Sequence, residues 1–286
     1  MNHPAELALC QYLEDAANSK STISEETVRQ IGIDVMDSIR RQFSGAVRRD
    51  KFRLRMSNIG RPSCQLWYEK NKPETALPKP TTFVMNMLLG DIVEAAFKGI
   101  LKEAKIKYED SEHVTLKVKD KEISGTYDLV IDGAVDDVKS ASDWSYRNKF
   151  ESYDTLKHGD SFGYVGQLAG YAKASGKKAG GWWVVNKANG NIKYVPADID
   201  IDEEMDKVGE RIEAVESKEF KRCFNPVPER FRGNLTGNKV LNDNCRFCSY
   251  RFDCFKTLQE LPSRMSQAKS PKIVQYVELA DEKKAV

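Results

Sequence analysis

Apolar residues recur at helical spacing over residues 4–18 and 23–44, where Ile31, Ile33, Val35, Met36 and Ile39 give the second segment a mostly apolar side. Thr22 and Glu25, three apart at its start, predict a capping box. Pro73 to Pro80 reads as a loop. From Thr82 to Lys105 the helical pattern returns, with Phe83, Met87, Ile92, Ala96, Phe97, Ile100 and Leu101 on a core-facing side. Strands are expected at about 112–118, 122–131 and 134–140, then a helix near 160–175. Gly181 to Asn186 and Ile192 to Val195 predict a second hairpin around Asn189-Gly190, and residues 200–218 an amphipathic helix. Beyond about 263 the chain is polar and Lys-rich and is expected to be mobile. No internal repeat is visible.

The densest signal lies between Gly125 and Ser140. Asp132-Gly133 between Val130-Ile131 and Ala134-Val135 predicts a two-residue hairpin turn. Ile131 then faces Ala134, and the same register sets Asp128 opposite Asp137. Opposed residues have Cβ atoms roughly 4.5–5.5 Å apart, where like charges destabilise a sheet unless a cation lies between them. Lys139 shares the face of Asp137, while Tyr127, Leu129, Ile131 and Val138 suit a core. Carboxylates hold hard cations such as Mg2+ or Mn2+, which acidify water and neutralise phosphate charge, and an adjacent lysine can orient the water or stabilise an oxyanion. A surface hairpin with solvated acids and a salt-bridged lysine has the same spacing. Glu94, within the apolar stretch Ile92 to Phe97, is the candidate third ligand, or else a helix-edge residue. Gln167 and Tyr171, four apart, share a helix face and can donate to phosphate or carboxylate, though the spacing alone favours a core Tyr171 and a surface Gln167; Gly166 and Gly170 leave room for a close approach.

Composition adds limits. The chain has 286 residues, 40% hydrophobic and 31% charged, with a net charge of +2. That balance neither demands nor excludes nucleic acid. Arg48, Arg49, Lys51, Arg53 and Arg55 form a local basic run, compatible with a phosphate-contacting edge or a solvated rim. No stretch of about 18 apolar residues could span a membrane, and Met1 to Cys10 shows no secretory signal, so an intracellular, cytoplasmic location is expected. Thiols stay reduced there. The six cysteines therefore read as ligands rather than disulfides. Cys245, Cys248 and Cys254 bring three thiols onto a short segment, with a fourth from Cys64, Cys223 or Cys10; zinc is the generic occupant.

Together these residues resemble the RecB-like branch of the PD-(D/E)xK nuclease superfamily, in particular the CRISPR-associated exonucleases and their stand-alone phage relatives. The order matches over about Ser57 to Phe255: Cys64, the helix from Gly90 to Glu94, Gly125-x-x-Asp128, Asp137-Val138-Lys139-Ser140, Gln167-x-x-x-Tyr171, then Cys245, Cys248 and Cys254. The resemblance implies an α/β restriction-endonuclease-like core, a mixed sheet flanked by helices, over residues 57–262. An N-terminal helical segment (1–56) would precede it and a mobile polar tail (263–286) follow. It implies Asp128 and Asp137 as metal ligands with the Val138 carbonyl, Lys139 as catalytic lysine, and Gln167 and Tyr171 as positioning groups. It implies a [4Fe–4S] cluster on the four cysteines, favoured over Zn2+, with Cys10 and Cys223 as plain thiols. This chain has Glu94 where that branch often has histidine, and an all-oxygen site leans towards Mg2+. The implied function is exonucleolytic hydrolysis of DNA from single-stranded ends, in a prokaryotic or phage-infected cell, alongside recombination or replication proteins. The alternative is a DNA-end-binding partner of a recombination or CRISPR-adaptation machine, without turnover.

Overall fold

The computed structural model describes residues 3–44 and 52–280. Arg48, Arg49 and Lys51 of the basic run, and the last residues of the tail, lie outside them. The helices are α1 (Pro4–Ala17), α2 (Glu25–Phe43), α3 (Ser63–Asn71), α4 (Phe83–Glu103), α5 (Tyr153–His158), α6 (Tyr164–Ser175), α7 (Ile201–Glu216) and α8 (Arg251–Cys254). The strands are β1 (His113–Val118), β2 (Lys121–Thr126), β3 (Leu129–Ile131), β4 (Ala134–Ala141), β5 (Lys178–Asn186), β6 (Ile192–Pro196), β7 (Val227–Phe231), β8 (Asn234–Val240), β9 (Gln259–Pro262) and β10 (Ile273–Glu278). The fold is α/β with several sheets, and the chain divides into two compact units. One holds Met1–Gly60 and Pro80–Glu210, the other Arg61–Lys79 and Arg211–Val286, so the compact boundaries fall at neither 56 nor 263.

The first unit is built on a mixed sheet in the order β3-β4-β5-β6, with β4 and β5 parallel and the outer pairs antiparallel. Parallel neighbours need a crossover, and the segment carrying α5 and α6 supplies it. On one face, Leu129, Ile131, Val138, Trp183 and Tyr194 form a core with Phe97 and Leu101 of α4 and with Ala5 and Leu9 of α1. α6 packs against β1, β4 and β5. The expected strand over 122–131 is divided at Tyr127-Asp128, where the chain passes from the β1–β2 hairpin into the mixed sheet.

Local details differ from the sequence pattern for physical reasons. Ser24, in extended backbone, caps α2 by accepting from the Thr27 amide, in place of a box from Thr22 to Glu25. The capping box sits one helix earlier, where His3 Nδ1 accepts from Ala5 and the Glu6 carboxylate accepts from the His3 amide. The apolar side of α2 is only partly covered, with Ile33, Met36 and Ile39 exposed.

In the second unit an antiparallel sheet runs β7-β8-β10-β9. The tail is therefore not wholly mobile: residues 273–278 pair with both β8 and β9 and bury Tyr276.

Gly166 and Gly170 of α6 do face close neighbours: the Gly60 backbone at Gly166, and the Ile59 and Met56 side chains at Gly170. A Cβ on Gly166 would lie 2.8 Å from Gly60 Cα, a position that cannot give way. Gly32 on α2 meets nothing within 4 Å. Gly166→Ala is therefore expected to cost about 1–3 kcal/mol. Gly32→Ala is expected to gain about 0.4–1 kcal/mol by restricting the unfolded chain. Urea unfolding midpoints check both; equal midpoints for the two variants would contradict the packing assigned to α6.

Candidate functional site

The Asp-Gly turn forms as its residues dictate, with Asp132 at φ 51° and Gly133 at φ 76°. The observed pairs are Ile131 with Ala134, Val130 with Val135 and Leu129 with Asp136. Asp128 and Asp137 fall at the next step of that register. Asp128 has left the strand, but it stays tied to β4: the Val138 amide donates to its Oδ2 at 2.7 Å. Lys139 Nζ reaches within 2.5 Å of Asp137 Oδ2. At that distance the buried Oδ2 is ion-paired with the ammonium, and no other hydrogen-bond partner reaches it. An oxygen so placed is suited to a cation.

The electrostatics agree with two acids crowded together. Removal from water, and then the neighbouring Asp137, hold the Asp128 carboxyl well above its ordinary pKa, partly opposed by Lys139 and by the Val138 amide. For Lys139, burial acts to lower the pKa, but Asp137 and Asp128 outweigh it and keep the ammonium charged. Glu94 is raised by burial and by the Asp128 charge. It therefore stands in the same field, yet Lys98 holds it at 3.0 Å and Lys98 also pairs with Asp110. Among the described residues, no three His, Cys, Asp or Glu groups come close enough to hold a metal as they stand.

α6 completes the first cluster. Gln167 hydrogen-bonds the buried Tyr171, whose pKa is raised by burial and by Asp137 and Asp128. Tyr171 Oη also crowds Gly125, where a Cβ would lie 3.0 Å away. Asp128, Asp137, Lys139, Gln167 and Tyr171 are thus brought together, with Glu94 beside them.

Asp136 belongs to the opposite face, and the sequence pattern gave no sign of its role. Tyr194 Oη and Trp183 Nε1 donate to it at 2.8 and 3.1 Å, and burial pushes its pKa up to about 7. Lys149 and Tyr164 were also missed. Tyr164 lies three residues before Gln167 on the same helix face, a signal available from spacing. Lys149 gave none, because lysine is rarely buried.

In the second unit, Cys64, Cys245, Cys248 and Cys254 line one small cavity together with Gln65, Tyr68, Arg251 and Phe255. Cys64 opens α3, Cys254 ends α8, and the Cys248 amide donates to the Cys245 carbonyl at 3.0 Å. Burial and the adjacent thiols push Cys245 up to about 12. Thiols that hinder one another's ionisation fit a soft cation or cluster, which would relieve that cost. Cys223 is no isolated thiol: the Cys64 amide donates to its Sγ at 3.1 Å. Cys10 is exposed on α1.

No family model matches the chain, and no curated protein matches it. Among solved structures, one titled "Crystal structure of SSO0001" is similar at 13% identity and a TM-score of 0.44, covering 80% of this chain and 97% of that one. No helix among the described residues is long and apolar enough to cross a membrane.

A carboxyl whose pKa is raised on folding stabilises the fold while protonated, and that contribution is lost as pH rises from its ordinary value through the folded one. In chelator, Asp128→Asn is therefore expected to melt well above wild type at about pH 8 and by a smaller margin at about pH 5. Thermal melts at the two pH values read the difference; a variant less stable than wild type at the higher pH would contradict the repulsion assigned to Asp128 and Asp137.

Proposed function

We propose that this chain is a metal-dependent deoxyribonuclease of the PD-(D/E)xK type, with a restriction-endonuclease-like core in its first unit, acting on DNA ends. The observation that carries the reading is the hairpin register that sets Asp128 against Asp137 with Lys139 beside them. The mixed sheet with a parallel β4–β5 pair, and α6 with Gln167 and Tyr171 over that cluster, support it.

The donor set fits Mg2+ or Mn2+: Asp128 and Asp137 would hold the cation with the Val138 carbonyl, and Glu94 would join on release from Lys98. A bound divalent cation supplies Lewis-acid polarisation of a phosphoryl oxygen and acidifies water. The chain's own groups do the rest. Lys139 stays protonated beside Asp137 and offers N–H donors to an equatorial phosphoryl oxygen, favouring the state in which negative charge has grown. Tyr171 remains a neutral phenol, so it donates from Oη rather than repelling phosphate. Gln167 orients that phenol. The four cysteines of the second unit would hold a [4Fe–4S] cluster, or alternatively Zn2+, joining α3 to the segment that ends in α8.

End-labelled linear and closed circular DNA, incubated with purified protein and Mg2+ or Mn2+, test the activity. Linear DNA should be degraded and circles left intact. Asp137→Ala and Lys139→Ala should each lose roughly 10²–10³-fold or more in rate. Unchanged activity in Asp137→Ala would falsify the assignment. Anaerobically purified protein should absorb in the visible charge-transfer region, and Cys245→Ser should lose that absorption together with iron; a colourless, zinc-containing preparation would overturn the cluster.

A further inference from the structure

Among the described residues, Lys149 is a charged group that its own surroundings leave without a hydrogen bond. It ends a π-helical turn, Ser145–Lys149, and its side chain is nine-tenths buried. Its Nζ has three hydrogens to donate and no hydrogen-bond partner. The nearest carboxylate, Asp160, is 3.9 Å away and already committed: its oxygens accept from the Gly163 and Val165 amides at 2.9 and 2.8 Å, capping α6. Burial accordingly lowers the Lys149 pKa. A buried ammonium without hydrogen bonds is costly, and beyond the long contact to Asp160 the fold offers it two aromatic faces.

Those faces say where Lys149 is aimed. Its Nζ lies 4.5 Å from the ring centroids of both Phe162 and Tyr164. Lys139 Nζ lies 5.1 Å from the centroid of the same Tyr164 ring. Two ammonium groups thus share one aromatic ring; Lys139 is held charged by Asp137 and Asp128, and its charge acts to lower the Lys149 pKa. An anion near that ring would give Lys149 the partner it lacks. Phe162 and Tyr164 are stacked, with centroids 5.7 Å apart and planes at 12°, and Phe162 is 48% exposed. An exposed ring on a stacked support, next to an unsatisfied cation, is suited to a planar group covalently joined to an anion.

We infer that Lys149, Phe162 and Tyr164 form a binding site for one nucleotide of a single-stranded nucleic-acid end, with Lys149 holding a phosphate beside the Asp128–Asp137–Lys139 cluster and Phe162 stacking the base. The inference rests on the nuclease reading above and deepens it by naming how the strand is held. Single-stranded nucleic acid is the class selected, because a base stacked on Phe162 must be free of a duplex stack. Tyr164, braced on its other side by Phe150 at a centroid distance of 5.8 Å, is the support rather than the contact.

The test is fluorescence anisotropy with a labelled oligothymidylate of about ten nucleotides, in the range that one single-strand groove covers, in Ca2+ so that binding is read without relying on turnover. Lys149→Gln should weaken binding about tenfold and reduce the slope of log affinity against log salt by about 0.7. Phe162→Ala, a change at an exposed position, should weaken it about tenfold with the salt slope unchanged. Lys149→Arg should recover most of the loss, which a purely structural role for the buried side chain would not give. Wild-type affinity and salt slope in both Lys149→Gln and Phe162→Ala would overturn the inference. Digestion of the same oligonucleotide with Mn2+ separates the two levels. Cleavage that depends on Asp137 but is bound and cut equally by the two variants removes this site and leaves the nuclease standing. Failure of the wild-type protein to bind or cleave removes both.

Discussion

Two carboxylates held across a two-residue turn, with a lysine one step along the strand, are the constraint on which the account depends. Asp128 and Asp137 repel, and their surroundings exclude much of the water that would screen them. The protein offsets part of that repulsion with the Val138 amide and the Lys139 ammonium. What is left is a buried Asp137 oxygen whose one close partner is the Lys139 ammonium. A fold selected for stability alone would place apolar residues here, as it does at most positions on the reverse of the same strands. The cost is intelligible if a cation completes the cluster.

The scaffold keeps that cluster from relaxing. The reverse face is fastened to α1 and α4 through Leu129, Ile131, Val138 and Trp183. α6 is drawn close by Gly166, which leaves no room for a Cβ against Gly60, and by Gly170 against Ile59 and Met56, and this seats Gln167 and Tyr171 over the acids. The second unit has its own logic, with four thiols converging on a cavity beside the stacked Tyr68 and Tyr250 rings. Each unit therefore concentrates groups that are costly on their own and suited to positive charge.

Where local chemistry dictated geometry, the sequence was readable. Asp132-Gly133 has the backbone preferences of its turn, so the register of Asp128 and Asp137 followed from one dipeptide. Gln167 and Tyr171 followed from helical spacing, and so could Tyr164 have done. Long-range placement was not readable. Cys223 resembles a plain thiol until the fold brings it to the Cys64 amide. Lys149 is buried against the general habit of lysine. The β10 strand was hidden by composition: Ile273, Val274, Tyr276 and Val277 carry a strand pattern inside a Lys- and Ser-rich tail. Glu94 was expected as the third metal ligand; the structure puts it in the field of Asp128, and its pairing with Lys98 could not be seen without the helix in place.

The most direct measurement is calorimetric titration of metal-free protein with Mn2+, wild type against Asp128→Asn. The account predicts saturable binding by wild type that the variant loses or weakens strongly, since the substitution keeps the shape and the Val138 hydrogen bond but removes one of the two charges. Equal Mn2+ binding by both proteins, or none by wild type at millimolar concentrations, would contradict it.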